Sequence, residues 1–205
     1  METGKNHLFL NCFRQITLKA IKRRRTKQYW LCAGAVCCST PAVLLFSPEI
    51  FKIAAERGLP ESAAPYSIVL GSAASAAGRM LLPAVSDRLG RKPVLYAVYL
   101  GLAAGSAWFA FAGQWWVLAA YAVLTFFYSG GAAVQPSFNT DLFGLPHAGV
   151  NYGFLALGQS VGSLAFPFAA NLLALENGRH LLAMAGAAAG FAAIWALHPV
   201  QKDPR

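Results

Sequence analysis

Few of the 205 residues could do chemistry, and Arg79 asks hardest for a partner, because it stands inside a long apolar stretch. Eight residues separate it from Asp87, about 12 Å of helix rise, which sets it near the middle of a bilayer if Asp87 marks the surface. An arginine at that depth costs on the order of 2.5 to 3.5 kcal/mol, so it must face protein or a watery cavity. Its planar fork of donors can clamp a carboxylate. The structural alternative is an ion pair with another helix. No acidic residue in the apolar stretches is an obvious partner, which favours an anionic ligand unless the partner belongs to a part of the protein outside this chain.

Gln159 follows Asn151 by eight residues and reaches a comparable depth in a later apolar run, where its amide can both donate and accept. Tyr128 and Asn151 are further candidates for a binding site, with Ser129, Gln135 and Ser160 beside them. Taken singly, each of these polar groups reads more simply as a helix–helix hydrogen bond.

A second constellation is Ser86-Asp87-Arg88-Leu89-Gly90-Arg91-Lys92, in a short polar break between two apolar runs. Asp87 lies near the carboxy end of its helix, where the dipole disfavours a carboxylate, so it should seek Arg88, Arg91 or the amino end of another helix. Such a pairing can latch one conformation. Gly90 would allow the positive φ that so short a turn needs. The simpler reading is a cluster of cations, Arg88, Arg91 and Lys92, anchoring one side of a membrane.

Other patterns carry no chemistry. Gly158-Gln159-Ser160-Val161-Gly162 matches a nucleophile elbow, but that motif requires a strand-to-helix turn and this one lies in a continuous apolar helix. Cys12, Cys32, Cys37 and Cys38 frame neither a disulfide scaffold nor a zinc site and read as packing. His180 and His198 lie at the ends of apolar runs, so no Ser/His pair shares a depth. We expect no catalytic residue, no metal and no cofactor.

The elements that must position these residues are membrane helices. The chain is 57% hydrophobic and 12% charged, about half the charge of a soluble domain, too little to coat a globular surface. A crossing helix needs about 20 mostly apolar residues, and six stretches meet that standard: 29–52, 63–86, 94–112, 115–136, 150–173 and 181–198. The third and fourth are separated by Gly113 and Gln114 alone, a tight antiparallel hairpin with Trp115 and Trp116 at the interface. Pro41 and Pro48 should kink the first. The Gly101/Gly105 and Gly186/Gly190 pairs read as close-contact helix faces.

The net charge of +9 raises nucleic acid as a partner. Its distribution argues against that, since eight of the seventeen basic residues precede Tyr29 and most others flank apolar runs. By the positive-inside rule both termini are cytoplasmic, and the expected location is the cell (inner) membrane. The organisation expected is a basic leader over 1–28, a six-span bundle over 29–198 and a cytoplasmic tail over 199–205. Phe9, Phe13, Ile16 and Ala20 recur at helical spacing in the leader, which is either an amphipathic surface helix or a disordered basic segment. Its length and charge do not fit a cleavable signal peptide.

The run Asp87-Arg88-Leu89-Gly90-Arg91-Lys92 resembles the loop signature of the major facilitator superfamily, Gly-x-x-x-Asp-Arg-x-Gly-Arg-Arg/Lys, with Pro83 where the first glycine usually stands. Asp141-Leu142-Phe143-Gly144, then Gly149-Val150-Asn151-Tyr152-Gly153 with Gly158, Gly162 and Pro167, resembles that superfamily's oxalate/formate antiporter family. The resemblance implies the carboxy-terminal six-helix half of a twelve-span carrier, with the third member of each helical trio peripheral. Dicarboxylate carriers similar to this family often carry a lysine near the position of Gln159, so the departure implies a monocarboxylate rather than a dianion such as oxalate.

The expected function is therefore transmembrane transport of a small organic anion, monocarboxylate or oxalate-like, by alternating access. Six spans make half of such a machine, so a second six-helix half or a second copy is the expected partner, beside the lipid bilayer and the carboxylate. The alternative is a truncated or accessory membrane protein without transport activity.

Overall fold

The computed structural model describes residues 27–145, 148–173 and 178–197. The leader up to residue 26 and the tail from residue 198 lie outside the described residues. Apolar runs of this length become helices because a segment without water must satisfy its backbone N–H and C=O groups internally. Six helical stretches are long and apolar enough to cross a membrane: Lys27–Glu56, Glu61–Leu89, Arg91–Phe111, Trp116–Phe143, Ala148–Leu172 and Gly178–Ala196.

The first span is broken. It comprises α1 (Lys27–Ser39), the single turn α2 (Pro41–Leu44), a short tighter turn at Ser47–Glu49 and α3 (Ile50–Glu56). The breaks coincide with Pro41 and Pro48, each lacking the N–H that would continue the ladder. The remaining spans contain α4 (Tyr66–Leu89), α5 (Arg91–Phe111), α6 (Trp116–Phe143), α7 (Ala148–Leu173) and α8 (Gly178–Ala196).

α6 is the main departure from the expected limits, running seven residues beyond 136 because Pro136 is accommodated inside the helix. It stops at Gly144, whose φ is 82°, much as α4 stops at Gly90 with φ 91°. Residues with side chains rarely adopt either value. The α5–α6 connection is the tight hairpin expected, with Gln114 at φ 49° and Trp115 and Trp116 exposed beside it.

α4 and α6 run side by side in the most extensive contact of the molecule; α6 also packs on α5, α5 on α8, and α1 on both α7 and α8. Small residues let the backbones approach. A Cβ on Gly78 would come within 2.2 Å of the Phe126 carbonyl oxygen, and one on Gly130 within 2.7 Å of the Gly78 oxygen. The Gly78 contact lies five residues before the Pro83 that stands where the signature's first glycine usually is. Gly158 and Gly162 seat α7 against the carbonyls of Ala33 and Cys37 on α1, which accounts for the elbow-like pattern as helix packing. Gly101 and Gly105 face α6, Gly186 faces Cys38 and Pro41, and Gly190 faces Tyr99.

The core gathers around Phe46, Tyr99, Leu102, Phe109, Leu124 and Val134. The second and fifth spans are the exception to burial: each buries only 17% of its most apolar window, against 56% for the first and fourth. Met80 and Leu81 on α4, and Leu164 and Phe168 on α7, are exposed on the outside of the bundle.

Candidate substrate site and ion-pair clusters

The first, second and fourth spans enclose an open cavity of about 680 Å³. α4 contributes Ile68, Ser72, Ser75 and Arg79, whose spacing of four, three and four residues aligns them on one helix face. The broken first span contributes Val43, Leu44, Ser47 and Ile50, and α6 contributes Tyr121, Thr125, Tyr128 and Ser129.

The hydroxyls are partly paired. Ser75 Oγ and Ser129 Oγ lie 2.7 Å apart, Tyr121 donates to Ser47 Oγ at 3.1 Å, and Thr125 donates back to the Tyr121 and Ala122 carbonyls. Arg79 is exposed to the cavity, and none of the ion pairs among the described residues includes it. Among the described residues, no carboxylate lines this wall.

Of the binding residues expected from sequence, the structure brings three together. Arg79 and Tyr128 share the cavity wall, and Gln159 reaches across from α7 to donate from Nε2 to the Tyr128 hydroxyl at 2.7 Å. Asn151 does not join them. It is 2% exposed, near the start of α7, and its Nδ2 finds no hydrogen-bond acceptor among the described residues. A rise of eight residues, about 12 Å, separates it from Gln159, and helix packing covers it. Gln135 and Ser160 are also absent from the wall, whereas Ser129 is on it. The sequence reading missed Ser72, Ser75 and Ser47, each an ordinary serine until α4, α6 and the broken first span line one cavity.

At the end of the bundle carrying the Asp87–Lys92 turn, Arg91 is the organising group. Its Nη1 sits 2.7 Å from Asp141 Oδ2 and donates to the Ser137 carbonyl at 2.9 Å, while Nη2 lies 3.5 Å from Asp87 Oδ1. Of the three partners considered for Asp87, Arg91 is the one found, yet the shorter contact of Arg91 is with Asp141, at the end of α6. Lys92 donates to the Leu197 carbonyl and lies over the Tyr96 ring, tying α5 to the end of α8. Arg88 is exposed and takes part in none of these ion pairs.

The opposite end holds a cluster that a count of charges does not reveal. Arg57 donates to the carbonyls of Phe109 and Ala112, capping the carboxy end of α5, with its guanidinium 5.0 Å from the Phe109 ring centroid. Its Nη2 is 3.4 Å from His180 Nε2, and His180 stacks on Phe46 at 4.9 Å. Burial lowers the pKa of Arg57 from its ordinary value. Arg179 forms an ion pair with Glu49, across a small cleft of about 200 Å³ that Asn171 also lines. Glu49 is the acid inside the 29–52 stretch; it answers Arg179 rather than Arg79.

Among the described residues no cluster of His, Cys, Asp or Glu could hold a metal. Cys32, Cys37 and Cys38 are free thiols in the first span, two of them half-buried and Cys32 buried.

Residues 21–205 match the family model of the Major Facilitator Superfamily. The chain belongs to that superfamily. It is 30% identical over 145 residues to the uncharacterized MFS-type transporter YhjX of Escherichia coli, covering 68% of this chain and 36% of YhjX. The bundle superposes on the crystal structure of the Escherichia coli fucose:proton symporter FucP with a TM-score of 0.67 at 17% identity, covering 86% of this chain and 44% of FucP. The chain thus spans less than half the length of either relative. The superfamily is one of membrane transporters.

Proposed function

We propose that this chain is one six-helix half of a membrane carrier for small organic monocarboxylates, working by alternating access against a second six-helix bundle. The observation that carries the reading is Arg79, a guanidinium on the wall of a hydroxyl-lined cavity with no carboxylate beside it. A cation so placed needs an anion, and a carboxylate is the planar partner its fork suits. Gln159, bonded to Tyr128, offers a neutral amide where a second cation would favour a dianion, which supports a single negative charge on the substrate.

Three further features support the fuller picture. The chain covers 36% of YhjX and 44% of FucP, as half of a longer carrier would. The second and fifth spans leave their outward faces open, as a facing bundle requires. The motif around Asp141 to Gly153 is similar to the oxalate/formate antiporter family, to which we assign the chain. In this reading the Asp87–Lys92 turn faces the cytoplasm of the inner membrane, as do both termini, and the Arg91 fork holds one conformation.

The test is ligand-induced stabilisation of the protein purified in mild detergent with any partner it retains. Lactate and formate should raise the unfolding temperature, by about 2.7 kcal/mol of stabilisation at a hundredfold excess over Kd. Arg79→Ala should remove the effect and Arg79→Lys restore part of it. Stabilisation that persists in Arg79→Ala would favour an accessory membrane protein. Equal stabilisation by oxalate and lactate would sink the preference for monocarboxylates.

A further inference from the structure

The cavity wall is graded along one helix face, and the grading describes a ligand. Arg79 stands at one end, Ser75 one turn before it, Ser72 next, and Ile68 at the far end, about 16 Å of rise from Arg79. Helical side chains lean toward the amino terminus of their helix, which brings the Arg79 guanidinium back toward the level of Ser75. There Ser129 of α6 meets Ser75 at 2.7 Å. The broken first span adds apolar lining to the same cavity through Val43, Leu44 and Ile50, beside Ser47, which accepts from Tyr121.

We propose that the Ser75–Ser129 pair and the apolar lining of Ile68, Val43, Leu44 and Ile50 select a monocarboxylate bearing a hydroxyl or keto oxygen next to its carboxylate and an aliphatic tail. The inference rests on the organic-anion reading above and specifies the substrate class. Two hydroxyls bonded to each other consume one proton between them, so the pair keeps one O–H donor and spare lone pairs for a ligand oxygen. A carboxylate clamped by Arg79 places an oxygen on the adjoining carbon beside this pair, and its chain then runs toward Ile68. A cavity of about 680 Å³ suits a ligand well beyond formate or oxalate in size. With no carboxylate on the wall, a ligand amine would find no counter-charge there, so an amino acid is disfavoured relative to its hydroxy analogue.

The experiment compares ligand-induced stabilisation, titrated to apparent affinity, for propionate against lactate and for isocaproate against hydroxyisocaproate. The hydroxylated member of each pair should bind about tenfold tighter, and hydroxyisocaproate about tenfold tighter than lactate, as partial burial of its extra methylenes implies. Ser75→Ala, and separately Ser129→Ala, should shrink the hydroxyl preference, the ratio of lactate to propionate affinity within each variant, to within about twofold. Because each ratio is read within one variant, a general loss of stability cancels. If all four acids bind alike and still require Arg79, the serine-pair inference is overturned and the anion carrier stands. If the wild-type protein binds none of them, both fall.

Discussion

At the scale of single residues, guanidinium groups do different work according to what surrounds them. Arg57 serves the backbone: it closes two carbonyls at the end of α5 and lies over Phe109. Arg57→Ala should cost about 1 to 3 kcal/mol in unfolding experiments, the penalty of leaving those carbonyls unpaired. Arg57→Lys should recover little, since an ammonium cannot span both carbonyls and stack on the ring. Arg91 serves a latch. Its pair with Asp141 is about half exposed on the carboxylate side, so a double-mutant cycle between Arg91→Ala and Asp141→Ala should return a coupling of about 1 kcal/mol. Coupling near zero would assign the latch to the Ser137 carbonyl instead. The sequence alone displayed Arg79, Asp87 and Gly90 as residues with a problem to solve. It did not display the Asp141–Arg91 pair, because 50 positions separate the two and nothing local marks either as the other's partner.

Between elements, the fit depends on the absence of side chains. α4 and α6 touch where Gly78 meets the Phe126 carbonyl and Gly130 meets Gly78 and Leu82. Gly78→Ala must push the helices apart, because the obstructing atom belongs to the backbone and cannot turn away; we expect about 1 to 3 kcal/mol of destabilisation and loss of ligand response, since both helices build the cavity wall. Gly153→Ala is the matching control. A Cβ at this position would meet no atom within 4 Å, so the variant should gain up to about 1 kcal/mol from helix propensity. Both are read by thermal unfolding in detergent. That the six spans exist was legible from the lengths of the apolar runs, and the first-span breaks from Pro41 and Pro48. The end of α6 was not, because Pro136 looks like a terminus in a sequence and is an internal residue of the folded helix.

For the whole molecule, the question is which way the bundle sits and what it faces. If the Asp87–Lys92 turn is cytoplasmic, a cysteine placed at Gln114 should react with an impermeant maleimide in intact cells. One at Arg88 should react only after permeabilisation, with native cysteines replaced in both variants. The reverse labelling would invert the topology. The open faces of the second and fifth spans predict that cysteines at Met80 and Leu164 form crosslinks to another six-helix bundle, visible as a shift to about twice the chain mass.

The sequence by itself determined the solvent, the number of spans and the residues that could not rest unpartnered, because hydrophobic length and a charge in an apolar run are local properties. The superfamily was equally legible, since its loop signature is contiguous. Only the tertiary structure decided that Gln159 bonds to Tyr128 of the cavity wall while Asn151 is packed away, that Glu49 belongs to Arg179, and that Ser75 meets Ser129. Those outcomes depend on how far each helix is turned about its own axis, and that rotation is set by the sum of many small contacts with neighbours distant in the chain.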